Sequence, residues 1–279
     1  MTYETLCHRL STCYEAGEAK ALVRWVLDVR FGLSLADILC GKVTQLSADD
    51  QAELEKIMQR LEKGEPVQYI IGVADFAGRQ FKVAPGVLIP RPETAELCEW
   101  VVSEAQNALQ LLDIGTGSGC IAITLAAELP HAKVSAWDIS DDALRIASGN
   151  ASLLGANVTF EKHDILDTAI ATDTQPIYDV IVSNPPYIKL SERDGMAKNV
   201  RDYEPGIALF APEANPIIFY QKIAHFAWKN LREGGRLFFE LNPLTSEAVG
   251  DDLRQLGFSD IEFRQDLYGK QRFLKATKI

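Results

Sequence analysis

The chain has 279 residues, 47% of them hydrophobic and 24% charged, an ordinary globular composition with length enough for one large and one small domain. A net charge of −11 and a pI near 4.9 argue against binding through a broad contact with a phosphate backbone, which needs clustered Lys and Arg. Five cysteines, at positions 7, 13, 40, 98 and 120, contain no Cys-x-x-Cys pair and read as reduced thiols, neither a disulfide frame nor a zinc site, so no metal is expected. Met1-Thr2-Tyr3-Glu4 lacks a basic segment followed by an apolar one, so no signal peptide is expected. No apolar run reaches the length of a membrane span, and a soluble, cytoplasmic protein without membrane contact is expected.

Residues 1 to about 75 read as helices only. Apolar side chains recur at helical spacing at Tyr3, Leu6, Cys7 and Leu10, at Leu22, Trp25, Val26 and Val29, and at Leu54, Ile57, Met58 and Leu61. Ser47 with Asp50 resembles a capping box, and Gly64 stands where a C-cap glycine belongs. The segment holds 8 basic against 12 acidic residues and no catalytic constellation. Trp25 and Tyr14 read as core. A small helical bundle attached to an enzyme domain suggests recognition of a partner.

The pattern then changes. Val67 to Gly72 and Arg79 to Val83 look like short strands with Gly78 at a turn, so a hairpin linker is expected. In Leu88-Ile89-Pro90-Arg91-Pro92-Glu93-Thr94, Pro92 and the acids after it start a helix that runs to about Asn107. Arg91, between two prolines, is presented in a fixed direction and is a candidate substrate contact.

From Gln110 strands and helices alternate, which predicts a parallel sheet with helices on both faces. Leu111 to Ile114 is a strand running into Gly115-Thr116-Gly117-Ser118-Gly119, and a helix follows from Cys120 to Leu129. The next strand, Lys133 to Trp137, ends on Asp138. A helix from about Asp141 to Leu154 leads to a strand at Val158–Glu161 and then to Asp164 and Ile165, which fall where an adenine is usually met. The apolar run from Tyr178 to Ser183 is the fourth strand, and it stops at Asn184-Pro185-Pro186-Tyr187, because prolines lack an N–H and fix φ. The 27 residues from 188 to 214 are too long for a plain connector and read as a lid or substrate loop. A helix from Ile217 to Leu231, a strand from Arg236 to Leu241, a helix from Thr245 to Leu256 and strands near Ile261–Arg264 and Arg272–Lys275 close the domain.

Two turns carry the chemistry. Gly-x-Gly-x-Gly between strand and helix lets a ligand approach bare backbone at a helix N-terminus. It matches neither the dinucleotide spacing nor a P-loop. Asp138 lies at the end of the next strand, where an acid accepts both hydroxyls of a ribose; the alternative is a cap on the following helix. Nicotinamide and methyl-sulfonium cofactors both carry an adenosine ribose, so Asp138 does not choose between them. The proline turn does. Asn184 offers a side-chain oxygen, Pro185 a backbone carbonyl and Tyr187 an aromatic face, a set suited to a planar group carrying NH2. It supplies no acid or base, which fits methyl transfer to nitrogen. Dispersal of a sulfonium charge favours a dry site, and clamping both amide hydrogens aims a poor nucleophile. None of the four histidines sits in a motif.

At these residues the chain resembles the HemK/PrmC family of protein-glutamine methyltransferases of translation release factors. The segments Leu88–Thr94, Asp113–Gly119, Ser183–Ile188, Tyr203-Glu204-Pro205 and Asp266–Lys270 look like family signatures in family order. The resemblance implies a seven-stranded, Rossmann-like class I methyltransferase domain (93–279), a helical N-terminal domain that docks the release factor (1–75) and a hairpin linker (76–92). It implies S-adenosylmethionine as cofactor and the glutamine N5 of a Gly-Gly-Gln motif as target. Carried over, Gly115, Thr116, Gly117, Ser118, Gly119, Asp138, Asp164, Ile165 and Asn184 hold the cofactor. Asn184, Pro185, Pro186, Tyr187 and Arg91 hold the target, with Asn184, Pro185 and Tyr187 catalytic. Two departures stand out: Ala95, where an acid is expected, and Asn242-Pro243 after Glu240, where the family usually has a glycine. Asn tolerates left-handed backbone, so a local change without lost activity is expected. The alternatives are a nucleic-acid amino-methyltransferase, which shares the logic of the turn, and a binding module that kept the fold without catalysis. The acidic charge counts against the first, and no duplex DNA binding is expected; the intact glycines, Asp138 and Asn184 count against the second.

Overall fold

A computed structural model of the chain describes residues 1–167 and 177–279. It divides into two compact units, Met1–Val73 with Ala197–Tyr203, and Ala74–Met196 with Glu204–Ile279. The boundary therefore differs from the expected one: a piece of the 188–214 connection folds with the N-terminal helices.

The first unit is helical throughout. Helices span Tyr3–Leu10, Ala16–Phe31, Leu35–Leu39, Ala48–Glu62 and Val67–Ile71, joined by Lys198–Tyr203 from far along the chain. The spaced apolar residues meet as expected: Leu6, Leu10, Val23, Leu27, Leu54 and Met58 are buried in one core, each contributing roughly 1.5–3 kcal/mol through burial. Tyr14 and Trp25 pack against that core, and the Tyr14 hydroxyl donates to the Leu61 carbonyl at 2.8 Å. Ser47 caps its helix by accepting from the Asp50 N–H at 3.1 Å, and its hydroxyl donates to the Asp50 carboxylate at 2.7 Å. The expected strand at Val67–Gly72 is instead a helical turn. Pro66 opens it and Gly72, at φ 86°, ends it, while Val67 and Tyr69 are buried. Packing on the helical side overrides the β preference of these residues.

A hairpin of β1 (Val73–Phe76) and β2 (Arg79–Lys82), in the second unit from Ala74 on, comes next. The main sheet takes β3 (Gln110–Ile114), β4 (Lys133–Asp138), β5 (Val158–Lys162) and β6 (Tyr178–Ser183). Two short strands, β7 (Ile188–Lys189) and β8 (Phe210–Ala211), pair with each other within the long connection. The chain then adds β9 (Leu231–Glu240), longer than the sequence suggests, β10 (Ser259–Gln265) and β11 (Gln271–Thr277). The seven-stranded order is β10-β11-β9-β6-β3-β4-β5. Strands β3, β4, β5, β6 and β9 are parallel, and β11 runs antiparallel to both β9 and β10. Helices Pro92–Glu104, which stops three residues short of expectation, and Cys120–Glu128 cover one face. Helices Ile218–Asn230 and Ser246–Leu256 cover the other.

This order fixes where a ligand goes. From β3 the chain steps outward to β4 and β5, then returns to β6 on the other side of β3. The reversal opens a crevice beyond the carboxyl ends of β3 and β6. Ile114 and Ser183 are register partners at those ends, so the glycine turn and the proline turn leave the sheet side by side. The Ser183 hydroxyl donates to the Ile114 carbonyl at 2.6 Å and ties the two strand ends together.

Candidate active site

The glycine turn needs glycine at each of its three positions. Gly115, Gly117 and Gly119 all have positive φ, at 77°, 56° and 83°, a region that costs other residues about 1–2 kcal/mol. At Gly119 space is short as well: a Cβ would meet Ile123 Cδ1 at 2.9 Å and Ala147 Cβ at 3.0 Å. Thr116 and Ser118 are buried. The Thr116 hydroxyl donates to Asp113 Oδ2 at 2.6 Å. Buried Asn150 donates to the Ser118 carbonyl at 2.9 Å and pairs with both backbone groups of Lys82, so one side chain joins the turn to the hairpin.

One cavity of about 200 Å³ lies beyond the strand ends. Gly115 and Gly117 form part of its wall, with Asp138, Asp164, Ile165, Asn184, Pro185 and Pro186. The structure thus brings together most of the residues chosen from sequence. It does not place Thr116, Ser118, Gly119, Tyr187 or Arg91 on that wall. The first three support the turn from behind. Tyr187 packs against the core beneath Ile218–Asn230, and its hydroxyl donates to Glu240 Oε1 at 3.2 Å. Burial, with Glu240 beside it, pushes that phenol well above its ordinary value. Arg91 donates to Glu204 Oε1 at 2.6 Å, and Glu204 Oε2 accepts from the Ile89 N–H. Two of the segments singled out in the sequence, 113 residues apart, are therefore partners, and the fixed direction of Arg91 serves an ion pair.

Asp138 caps no helix with its side chain; Ser140 does, accepting from the Ala143 N–H. Asp138 Oδ2 instead accepts from the Gly117 N–H at 2.8 Å and Oδ1 from the Ser140 N–H at 2.9 Å. Each oxygen keeps a second lone pair for a further donor. Burial raises the pKa of this carboxyl and the N–H bonds oppose the rise. Around it stand Trp137 and His163, with ring centroids 4.1 Å apart, and the apolar Val87, Leu88, Ile139 and Leu166. Phe219 and Ile223 from Ile218–Asn230 and Ile207 from the long connection complete the wall. The sequence reading missed these walls, because hydrophobic residues that line a cavity carry the same signal as core. A carboxylate pair of acceptors, two glycines without side chains and an apolar surround fit the ribose, methionine tail and adenine of S-adenosylmethionine.

The proline turn has its own support. Asn184 Nδ2 donates to Thr94 Oγ1 at 3.3 Å, and Thr94 Oγ1 donates to Glu240 Oε2 at 2.6 Å. Thr94 and Glu240 are buried; burial raises the Glu240 pKa, opposed by Thr94, Arg272 and Tyr187. Asn242 donates to the Tyr187 carbonyl at 3.2 Å and accepts from the Leu244 N–H at 3.0 Å. Among the described residues only Ala77 and Asp260 are non-glycines with positive φ, so Asn242 acts by bridging and does not take the left-handed backbone that was expected of it. Asn184 Oδ1 and the Pro185 carbonyl carry no hydrogen bond among the described residues. Thr94 closes the segment Leu88–Thr94 and Glu240 stands just before Asn242-Pro243, but only the fold brings them under Asn184.

Sheet order and cavity together define a class I methyltransferase that uses S-adenosylmethionine. The fold is shared with the hMettl16 catalytic domain in complex with MAT2A 3'UTR hairpin 6 (TM-score 0.55, 21% identical, covering 71% of this chain and 75% of that one). It is shared also with the T. thermophilus 16S rRNA N2 G1207 methyltransferase in complex with AdoMet and guanosine (TM-score 0.53, 20% identical, 74% and 50%). The Methyltransferase small domain family matches residues 95–200 and the PrmC N-terminal domain family residues 4–72. Proteins named release factor glutamine methyltransferase are 48% identical in Bacteroides thetaiotaomicron, covering 96% of both chains, and 37% identical in Flavobacterium psychrophilum, covering 96% and 95%. The chain belongs to the release factor glutamine methyltransferase family.

Proposed function

We propose that this enzyme transfers a methyl group to the side-chain amide nitrogen of the glutamine in the Gly-Gly-Gln motif of peptide chain release factors, in the cytoplasm. The observation that carries the chemistry is the proline turn: two acceptors on consecutive residues, Asn184 Oδ1 and the Pro185 carbonyl, without a hydrogen bond among the described residues. A primary amide offers two N–H groups to such a pair. S-adenosylmethionine supplies an electrophilic methyl on a positive sulfonium. Asn184 and Pro185 take one amide hydrogen each and turn the nitrogen lone pair toward that methyl, a gain from orientation. The mostly apolar walls exclude water, which favours a step that disperses charge. No general base is assigned, because the proton is acidic once the nitrogen is alkylated and leaves afterwards.

Asp138 holds the ribose hydroxyls in this reading, the glycine turn lies along the methionine tail, and Asp164 and Ile165 meet the adenine. The helices of residues 1–73 hold the body of the release factor, which leaves its glycine-flanked loop free to enter the cavity, since glycine lets backbone approach closely. The test is mass spectrometry of intact release factor after incubation with enzyme and S-adenosylmethionine. One added methyl on the Gly-Gly-Gln glutamine is expected, with duplex DNA and ribosomal RNA unlabelled. Label on a nucleobase with the release factor unmodified overturns the reading.

A further inference from the structure

We propose that Thr94, anchored by the buried Glu240, is a positioning residue that sets which way round the Asn184 amide stands, so that its oxygen and not its nitrogen faces the target. The inference rests on the Asn184–Pro185 clamp proposed above and explains how one half of it is oriented.

The argument is a proton count. A carboxylate only accepts, and Glu240 accepts at both oxygens, from Thr94 Oγ1 at 2.6 Å and from the Tyr187 hydroxyl at 3.2 Å. The shorter distance is that of a hydroxyl donating to an ionised acceptor. Thr94 has a single hydroxyl hydrogen, and Glu240 takes it. The remaining contact of Thr94 Oγ1, with the Asn184 side chain at 3.3 Å, can then be filled only by an N–H. With Glu240 ionised, the direction of the Asn184 amide follows from the count of hydrogens and not from a choice between similar atoms. With Nδ2 turned to Thr94, Oδ1 is turned away from it and is the free acceptor. A reversed amide would set lone pair against lone pair at Thr94 and N–H against N–H at the target.

The fold keeps this relay in place. Thr94 sits in the first turn of Pro92–Glu104, where its backbone N–H bonds the Arg91 carbonyl at 3.1 Å. Glu240 is the last residue of β9, and its carbonyl accepts from the Tyr220 hydroxyl at 3.0 Å. Asn184 follows β6, the strand beside β9. Three separate segments thus meet at one chain of hydrogen bonds, running from Asn184 to Thr94 to Glu240 and back through Tyr187 to the same turn.

The experiment compares Thr94→Val, which keeps shape and removes the hydroxyl, with Thr94→Ser, Asn184→Ala and the double variant Thr94→Val with Asn184→Ala. Steady-state kinetics on intact release factor and calorimetry with S-adenosylmethionine are the readouts. Thr94→Val is expected to lower kcat about tenfold, with KM and cofactor affinity within about threefold of wild type, and Thr94→Ser to recover most of the loss. In the Asn184→Ala background the same Thr94→Val change is expected to cost nothing further, because the relay acts through Asn184. If Thr94→Val does not fold, Glu240→Gln reads the same relay, since an amide there can donate and the direction of the chain is no longer forced; its loss too should vanish without Asn184. An unchanged kcat in Thr94→Val, or an equal loss in both backgrounds, overturns the inference while Asn184→Ala remains slow and the clamp stands. An Asn184→Ala enzyme as fast as wild type overturns the clamp itself.

Discussion

The glycine turn and the proline turn leave neighbouring strands, face the same cavity and solve opposite problems. Gly115, Gly117 and Gly119 are there for what they lack on the side chain; Pro185 and Pro186 are there for the N–H they lack on the backbone. Removing side chains lets a ligand approach bare backbone closely, while removing donors leaves carbonyls and one amide oxygen as acceptors. Beneath each turn lies a buried carboxylate that accepts a threonine hydroxyl at 2.6 Å, Asp113 from Thr116 and Glu240 from Thr94. The anchors differ in company. Arg272 acts on Glu240, whereas the charge acting on Asp113 is a second acid, Asp138. Asp113 Oδ1 also has no hydrogen-bond partner among the described residues. The proline side, which offers acceptors, is thus steadied by a cation, and the glycine side rests on a buried acid in apolar surroundings.

The largest expected effect breaks that contrast at Asp113. Burial raises its pKa from 3.8 to about 7, so the unfolded chain releases this proton at lower pH than the folded one does. Rising pH therefore favours unfolding across that window. The stability of Asp113→Asn relative to wild type should grow from pH 4 towards 7 and level off above it, by of order 4 kcal/mol in all. Urea titrations of the cofactor-free protein measure this; a flat difference shows that the carboxylate is ionised without cost. Next, Asn184→Ala should lower turnover by about 10²-fold or more with little change in cofactor binding, as for loss of one oriented polar group. Activity within a few-fold of wild type removes the acceptor side of the comparison. Third, Gly119→Ala should cost roughly 2–3 kcal/mol in thermal unfolding through left-handed strain and crowding by Ile123 and Ala147. Gly115→Ala, with nothing within 4 Å of the new carbon, should unfold closer to wild type. A Gly119→Ala protein that melts with wild type shows that Gly119 serves ligand approach alone. Smallest, Asp138→Ala should weaken cofactor affinity about tenfold or more, as expected for lost charge-assisted hydrogen bonds. Unchanged affinity by calorimetry leaves Asp138 as a brace for Gly117 and Ser140.

The sheet was legible because its strands are short apolar runs that stop at chemically distinct residues: Ile114 before Gly115, Asp138 after Trp137, Ser183 before Asn184 and the prolines. The cavity floor was legible for the same reason. Other parts depended on partners distant in sequence. Val67–Ile71 has the composition of a strand, and only its neighbours in the helical core make it a helix. Tyr187 reads as a free aromatic face until Glu240, 53 residues on, takes its hydroxyl. Arg91 reads as a ligand contact until Glu204 is placed beside it. A pattern of one segment cannot show which charge of another will meet it.

The seven residues Ala197–Tyr203 belong with helices made at the other end of the chain, and the Tyr203 hydroxyl donates to the Lys63 carbonyl at 3.3 Å. On the ribosome the first 73 residues emerge early, yet their last helix follows after more than a hundred further residues. The helical bundle therefore waits, one piece short, while most of the sheet is being made, and it is completed only by closing a long loop, at an entropic cost that grows slowly with length. An excised fragment of residues 1–73 reproduces that unfinished state and not the mature one. A faithful isolated bundle needs residues 197–203 grafted on through a short linker, and a faithful deletion needs them removed as well.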